Sequence, residues 1–141
     1  MNIIKLTTEL KNKLYSYGFV IHPDLVSDLV DVLRNSGNEK AFLSMFFKNL
    51  DFLKEYGIYA HIQSTKQFEK LKNSSNIFSM HIQRKGFNIR ILYSFLPDNT
   101  ILLHGFYERE GKRNTDYSKP IILAEERLKE YNDSLGGRSN E

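Results

Sequence analysis

The sequence predicts an α+β fold in the order β-α-α-β-β-β-α, with an antiparallel sheet, a helical hairpin packed on one face and a C-terminal helix. Three observations predict it. Residues 76–109 alternate apolar and polar side chains with a period of two, which is typical of half-buried strands. Two apolar stripes at helical spacing precede this segment, and a third follows it. The 141 residues, 40% of them hydrophobic, suit one domain with its own core.

The N-terminal half predicts one strand followed by two helices. Residues 1–13 lack a strong period, so a short helix and an arm both remain open. The aromatic and β-branched segment 14–22 favours a strand. A proline and an aspartate then stop that strand and open a helix, which residues 35–38 close. Apolar residues at helical spacing run through 39–56, and residues 58–75 form a connector with a possible short helix.

The C-terminal half predicts a three-stranded meander over 76–109 and a closing helix. Gly86 supplies the positive φ of the first turn, and a Pro-Asp-Asn sequence forms the second. The last helix begins at Pro120, where proline is favoured. Residues 132–141 contain two adjacent glycines and no apolar period, so we expect a disordered tail. The predicted domain therefore covers residues 14–131.

Composition excludes several classes of function. The chain has no cysteine, so disulfides, thiolate metal sites and cysteine catalysis are ruled out. The N-terminus becomes polar within a few residues, and no apolar run approaches the roughly 20 residues that span a bilayer. The four histidines are scattered without carboxylates at ligand spacing, and there is no Gly-rich phosphate loop or serine elbow. We expect a cytoplasmic protein without membrane association, bound metal or cofactor.

The distribution of charge is more informative than the formal net charge of +3. The segment from Gln63 to Arg90 contains six cationic residues and one acidic residue, which gives a local net charge of +5. Between Asp24 and Ala60 the balance is −2. The basic charge gathers around the predicted sheet, as an anion-binding surface requires.

The two faces of the meander differ in character. In the first two strands one face is apolar, and the other carries His81 and Arg90. If the third strand keeps the same sidedness, His104 joins them. An ion pair between Arg90 and either Glu108 or Asp116 is the competing interpretation of that arginine.

Four segments, taken in order, resemble the RelE/ParE superfamily of bacterial toxins, most of all the HigB-like and phage-derived toxins of type II toxin–antitoxin pairs. They are LYSYGFVIHPDLVSDLV, NIRILYSF, ILLHGFYER and IILAEERLKEY. The resemblance covers most of the chain from Leu14 onward. The chain also departs from the family, whose members often carry paired lysines after the phenylalanine and Thr-Pro before the last helix. YER and NTD stand at those two places here.

The resemblance implies a RelE-like fold and a metal-independent mRNA endonuclease that acts in the decoding site of the ribosome. The implied partners are mRNA, the ribosome with its 16S ribosomal RNA, and a DNA-binding antitoxin of helix-turn-helix type encoded beside the toxin. Two alternatives remain open. One is a non-enzymatic ParE-like toxin that binds DNA gyrase, and the other is a decayed phage-type protein that retains only nucleic-acid or partner binding.

Metal-free RNA cleavage needs a phosphate-binding cation and groups that transfer protons. Arg90 is the candidate for the phosphate, because its guanidinium fork matches phosphate oxygens. His104 and His81 are the candidate acid and base, and Tyr107 would stack a splayed base or donate a hydrogen bond. Cations expected to bind the RNA backbone are Arg84, Lys85, Arg109, Lys112, Arg113, Lys70 and Lys72.

Overall fold

The structure is a computed structural model that describes residues 1–74, 76–108 and 118–139, with side chains described as far as Leu135. Its elements are α1 (Ile3–Ser16), β1 (Val20–Ile21), α2 (Leu25–Leu33), α3 (Glu39–Tyr56), a 3₁₀ turn (Gly57–Tyr59), α4 (Ala60–Gln63), β2 (Phe68–Lys70), β3 (Phe78–Arg84), β4 (Phe87–Phe95), β5 (Thr100–Tyr107) and α5 (Ser118–Ser139). The predicted α+β class is confirmed. The element order is not the predicted one, since α1 and β2 are additional.

The five strands form one mixed sheet in the order β1-β5-β4-β3-β2. The meander of β3, β4 and β5 pairs antiparallel, as the turn residues predicted. The short β1 instead runs parallel to β5, so the prediction of a wholly antiparallel sheet was wrong at this edge. Parallel neighbours need a long crossover connection, and the chain between β1 and β5 supplies it with three α-helices, a 3₁₀ turn and three strands.

Three helices cover one face of the sheet. The apolar stripes of α1, α2 and α3 share a buried cluster with alternate residues of the meander, such as Met80, Ile82, Ile89 and Ile91. The helical hairpin predicted from the sequence is therefore present, and α3 has the predicted bounds. Burial of these stripes at about 25 cal/mol per Å² of apolar surface is the main favourable term for this layer.

The last helix covers part of the opposite face. Leu92, Ile101 and Leu103 of the sheet are fully buried against Ile121 and Ala124 of α5. The sheet is thus the middle layer of three, and polar residues of this face, such as Asn88 and Arg90, are buried as well. Near-continuous burial along β4 follows from this arrangement, because a strand between two helical layers has no fully wet face.

The N-terminal prediction needs two corrections. Residues 14–16 complete α1, and the predicted strand over 14–22 is reduced to Val20–Ile21. The helix begins after Asn2, whose side chain accepts a hydrogen bond from the Lys5 N–H at 2.7 Å. Every fourth residue of α1 from Leu6 to Leu14 is buried, and this period lies hidden among polar residues.

Two further differences concern the connector and the C-terminus. The connector contains the edge strand β2. This strand has three residues and one buried side chain, so its sequence shows no alternation that would predict it. Helix α5 begins two residues before Pro120 and continues through 132–139, where the sequence predicted a disordered tail. Helical propensity of the preceding residues carries the helix through the two glycines, each of which costs about 1 kcal/mol relative to alanine.

Candidate active site

The polar part of the sheet's second face centres on a row of three residues. His81 on β3 lies directly opposite Arg90 on β4, and Phe106 on β5 lies opposite Arg90 on its other side. Directly paired residues in an antiparallel sheet project to the same face, so the three side chains are neighbours. The structure therefore brings together His81 and Arg90, two of the predicted site residues.

Among the described residues, Arg90 forms a hydrogen bond through one of its nitrogens. Its Nε donates a hydrogen bond to Oε2 of Glu108, and both side chains are buried. Asn88 reaches the same oxygen with Nδ2 at 3.5 Å. Within the described residues, Nη1 of Arg90 and Oδ1 of Asn88 are buried without a hydrogen-bond partner. A buried polar nitrogen left unmatched costs about 1–3 kcal/mol, and an anion such as phosphate would supply the missing acceptor.

His81 lies beside this guanidinium and is uncharged at neutral pH. Burial, reinforced by the positive charge of Arg90, lowers the pKa of His81 to about 4, against a smaller opposing effect of Glu108. Its Nε2 is buried without a hydrogen-bond partner, and the nearest carboxylate oxygen, on Glu69, is 3.9 Å away. An imidazole in this state keeps a free lone pair on one ring nitrogen, but it is a weaker base than a solvated histidine because burial and Arg90 disfavour its protonated form.

A β-bulge in β5 sets the position of His104. Leu92 of β4 pairs with His104, and the next residue, Tyr93, pairs with Leu102, so Leu103 is the extra residue. The bulge keeps His104 on the same face as Arg90, which sits diagonally across on the neighbouring strand. The sidedness expected of His104 is therefore found, although strict alternation is broken one residue earlier.

Two charged side chains from opposite layers close the edge of β5 beside the bulge. Arg127 of α5 donates from Nη1 to the carbonyl oxygen of Leu103 at 2.8 Å and to Oδ2 of Asp28 on α2 at 2.6 Å. The same Asp28 oxygen accepts from the Gly105 N–H at 3.4 Å and lies 2.8 Å from Nδ1 of His104. Burial alone would raise the pKa of Asp28, but the bonds from His104 and Arg127 outweigh it and hold the pKa below its usual value.

The ring of His104 is consequently fixed on two sides. Asp28 binds its Nδ1, and Phe106 stacks on the ring with centroids 5.7 Å apart. Arg90 lies on the strand between those that carry His81 and His104, and neighbouring strands are about 4.8 Å apart. Two histidines thus flank one guanidinium, an arrangement able to bind a phosphodiester and move protons on either side of it.

The other predicted site residues do not join this group. Tyr107 pairs with Ile89, so it projects to the opposite face, and it is largely exposed. Arg84 and Lys85 are exposed at the turn between β3 and β4. Lys70 and Lys72 are exposed near β2, at the far edge of the sheet. Arg109, Lys112 and Arg113 lie outside the described residues.

Sequence reasoning missed three members of the site. The ion pair of Arg90 with Glu108, which the sequence offered as the competing interpretation of Arg90, is present, and it leaves Nη1 buried without a hydrogen-bond partner among the described residues. Asp28 follows the opening of a helix and Arg127 follows two glutamates, so both have the pattern of solvated helix residues. No local sequence pattern distinguishes Asp28 and Arg127 from solvated residues, because both act by binding the edge of β5, which is distant from them in sequence.

No group of histidine, aspartate and glutamate able to hold a metal ion occurs in the described ranges. None of the helices described is both long and apolar enough to cross a membrane. No protein-family model, no curated protein and no solved structure matches the chain. The geometry of the site therefore carries the functional argument alone.

Proposed function

We propose that the protein is a toxin of the RelE/ParE type that cleaves mRNA without a metal, with His81, Arg90 and His104 as its catalytic residues. The observation that carries the proposal is the buried pair of His81 and Arg90, each of which has a nitrogen without a hydrogen-bond partner among the residues that the structure describes. Further support comes from β1, the α2–α3 hairpin, the meander and α5, which follow one another in the expected sequence, although α1, α4 and β2 are additional elements.

The first step is removal of a proton from the 2′-hydroxyl. His81 is neutral at physiological pH, so a lone pair on its ring is available for this proton, and the negative charge that develops on the phosphate offsets its lowered basicity. The 2′-oxygen then forms a bond to phosphorus as the bond from phosphorus to the 5′-oxygen breaks. The products are a 2′,3′-cyclic phosphate and a 5′-hydroxyl.

Arg90 and His104 act on the negative charge that develops on the phosphate and on the leaving 5′-oxygen. Nη1 of Arg90 donates to a phosphate oxygen while Glu108 holds Nε, so the guanidinium is oriented before substrate binds. His104, whose Nδ1 is fixed by Asp28, delivers a proton from Nε2 to the leaving 5′-oxygen. Asp28 is a positioning residue in this scheme.

The direct test is induced expression with primer extension on cellular messages. Variants are His81→Gln, His104→Gln and Arg90→Lys, the last keeping a charge opposite Glu108 but losing the fork. The control is His61→Gln, since His61 lies against Phe78 on the helical side of the sheet. We expect growth arrest with cuts at defined positions for the wild type and the control, and loss of both for the three site variants.

Growth arrest without cuts would overturn the nuclease and favour the gyrase-binding alternative. A small adjacent reading frame that encodes a helix-turn-helix protein would support the proposed pairing with an antitoxin. In that experiment the expected substrate of the protein is ribosome-bound mRNA, in keeping with the basic charge around the sheet.

A further inference from the structure

A groove opens at the sheet edge next to His81. Here β3 extends beyond its pairing with β2. Side chains and loop backbone bind the edge of β3 where no neighbouring strand pairs with it. The His81 N–H donates to the Gln67 carbonyl at 2.7 Å, and its own carbonyl accepts from Asn49 Nδ2 at 3.2 Å. The cavity has a volume of about 530 Å³, within the range of small-molecule sites.

The lining of this groove is cationic and rich in amides. In addition to His81, it consists of Met45, Lys48, Asn49, Lys66, Gln67 and Gln83. Within the described part of the chain no aspartate or glutamate lines it and neither lysine forms an ion pair, although the Glu69 carboxylate lies 3.9 Å from Nε2 of His81. Two uncompensated cations beside the proposed scissile phosphate attract a second negative charge.

We propose that the groove binds one nucleotide of single-stranded RNA adjacent to the phosphate held by Arg90. Lys48 and Lys66 neutralise the phosphate of that nucleotide. The carboxamide of Gln83 offers a donor and an acceptor, and that of Gln67, whose oxygen accepts from the Ser64 hydroxyl, adds a donor, as base edges require. The inference rests on the proposed function, because it places the groove beside the same substrate backbone.

An acidic protein segment fits the groove less well. Such a segment would use the two lysines and, through its backbone, the carboxamides, but its carboxylate side chains would offer no apolar ring to the wall of the groove. Met45 supplies an adaptable apolar wall on which a base ring packs. The combination of two cations, carboxamides and a thioether therefore favours a nucleotide over a peptide carboxylate.

The test measures binding of a fluorescein-labelled, fully 2′-O-methylated oligonucleotide, which lacks the attacking hydroxyl, to the full-length protein. Anisotropy titrations are run over a series of salt concentrations with Lys48→Ala and Lys66→Ala. The control is Lys40→Ala, an exposed lysine two turns earlier on α3 and outside the groove. We expect each groove variant to weaken binding several-fold and to reduce the slope of log Kd against log salt by about 0.7, while Lys40→Ala matches the wild type.

Equal affinities and salt slopes for the three lysine variants would overturn the inference, as would absence of oligonucleotide binding by the wild type. Displacement of the oligonucleotide by polyglutamate at equal charge concentration would also overturn it, in favour of an acidic protein partner. Cleavage assays on the same proteins keep the two proposals separate. Loss of affinity in the groove variants, with no cleavage by the wild type, would retain the nucleotide site and overturn the endonuclease.

Discussion

Asp28 on α2 and Arg127 on α5 form an ion pair, with Oδ2 and Nη1 2.6 Å apart, although their helices cover opposite faces of the sheet. They meet at the edge of β5, where β1 has ended and the backbone would otherwise be unpaired. The pair also binds Leu103 and Gly105, so it satisfies backbone groups that a longer strand would have satisfied. The ion pair therefore joins the three layers and orients His104.

Replacement of Asp28 by asparagine should destabilise the protein by about 2–4 kcal/mol, because it leaves the buried Arg127 guanidinium without a counter-charge. Urea denaturation at neutral pH measures this change in the free energy of unfolding. Asp31→Asn is the matched control, since Asp31 is exposed on the same helix. We expect that control to lie within about 0.5 kcal/mol of the wild type. An equal effect of the two substitutions would contradict the role of the pair.

The close approach of β5 to α2 should make Gly105→Ala destabilising. A Cβ at Gly105 would lie 2.6 Å from Cδ2 of Leu29, which is fully buried. Overpacking of this kind costs about 1–3 kcal/mol. The double variant with Leu29→Ala removes the clashing atoms, so the two substitutions should couple favourably in thermal unfolding. Strict additivity of the two free-energy changes would show that the contact is absent.

The buried His81 should make stability depend on pH between about 6.5 and 4. Its pKa is about 4 in the folded protein against 6.5 as the ordinary value, so the unfolded state takes up a proton first as the pH falls. The stability contributed by the neutral ring is complete above pH 6.5 and is lost as the pH falls toward 4, at up to about 1.4 kcal/mol per pH unit.

Denaturation of the wild type and His81→Gln over this pH range tests that dependence. We expect the variant to have a flatter profile than the wild type between pH 6.5 and 4. An NMR titration of the His81 ring should independently give a midpoint near 4. A midpoint near 6.5 would show that the ring is solvated, and it would also remove the argument that His81 is neutral because of burial.

The sequence predicted the parts of the fold that have local patterns. The meander and the α2–α3 hairpin follow from periods of two and 3.6 and from turn residues such as Gly86. The helix α1 was assigned in part to a strand, because aromatic residues near its end outweighed the buried period of Leu6, Leu10 and Leu14. Local propensity was overridden there by packing against the other helices.

The candidate site was only partly predictable for a related reason. Strand alternation placed His81 and Arg90 on one face, and the structure shows them paired. Alternation does not reveal which part of that face α5 covers, nor that Glu108 binds Arg90 Nε and leaves Nη1 unmatched. Both features depend on contacts between residues far apart in sequence. Neither periodicity nor a local motif in a single sequence predicts such contacts.

The most direct test of the central claim is cleavage of a labelled oligoribonucleotide by purified protein in EDTA, with and without ribosomes. We predict a cut that yields a 2′,3′-cyclic phosphate and that disappears with a single 2′-deoxy substitution at the cut site. The same cut should be lost in His81→Gln and retained in His61→Gln. RNA left intact in both conditions, or cleavage that proceeds unchanged in His81→Gln, would contradict the account.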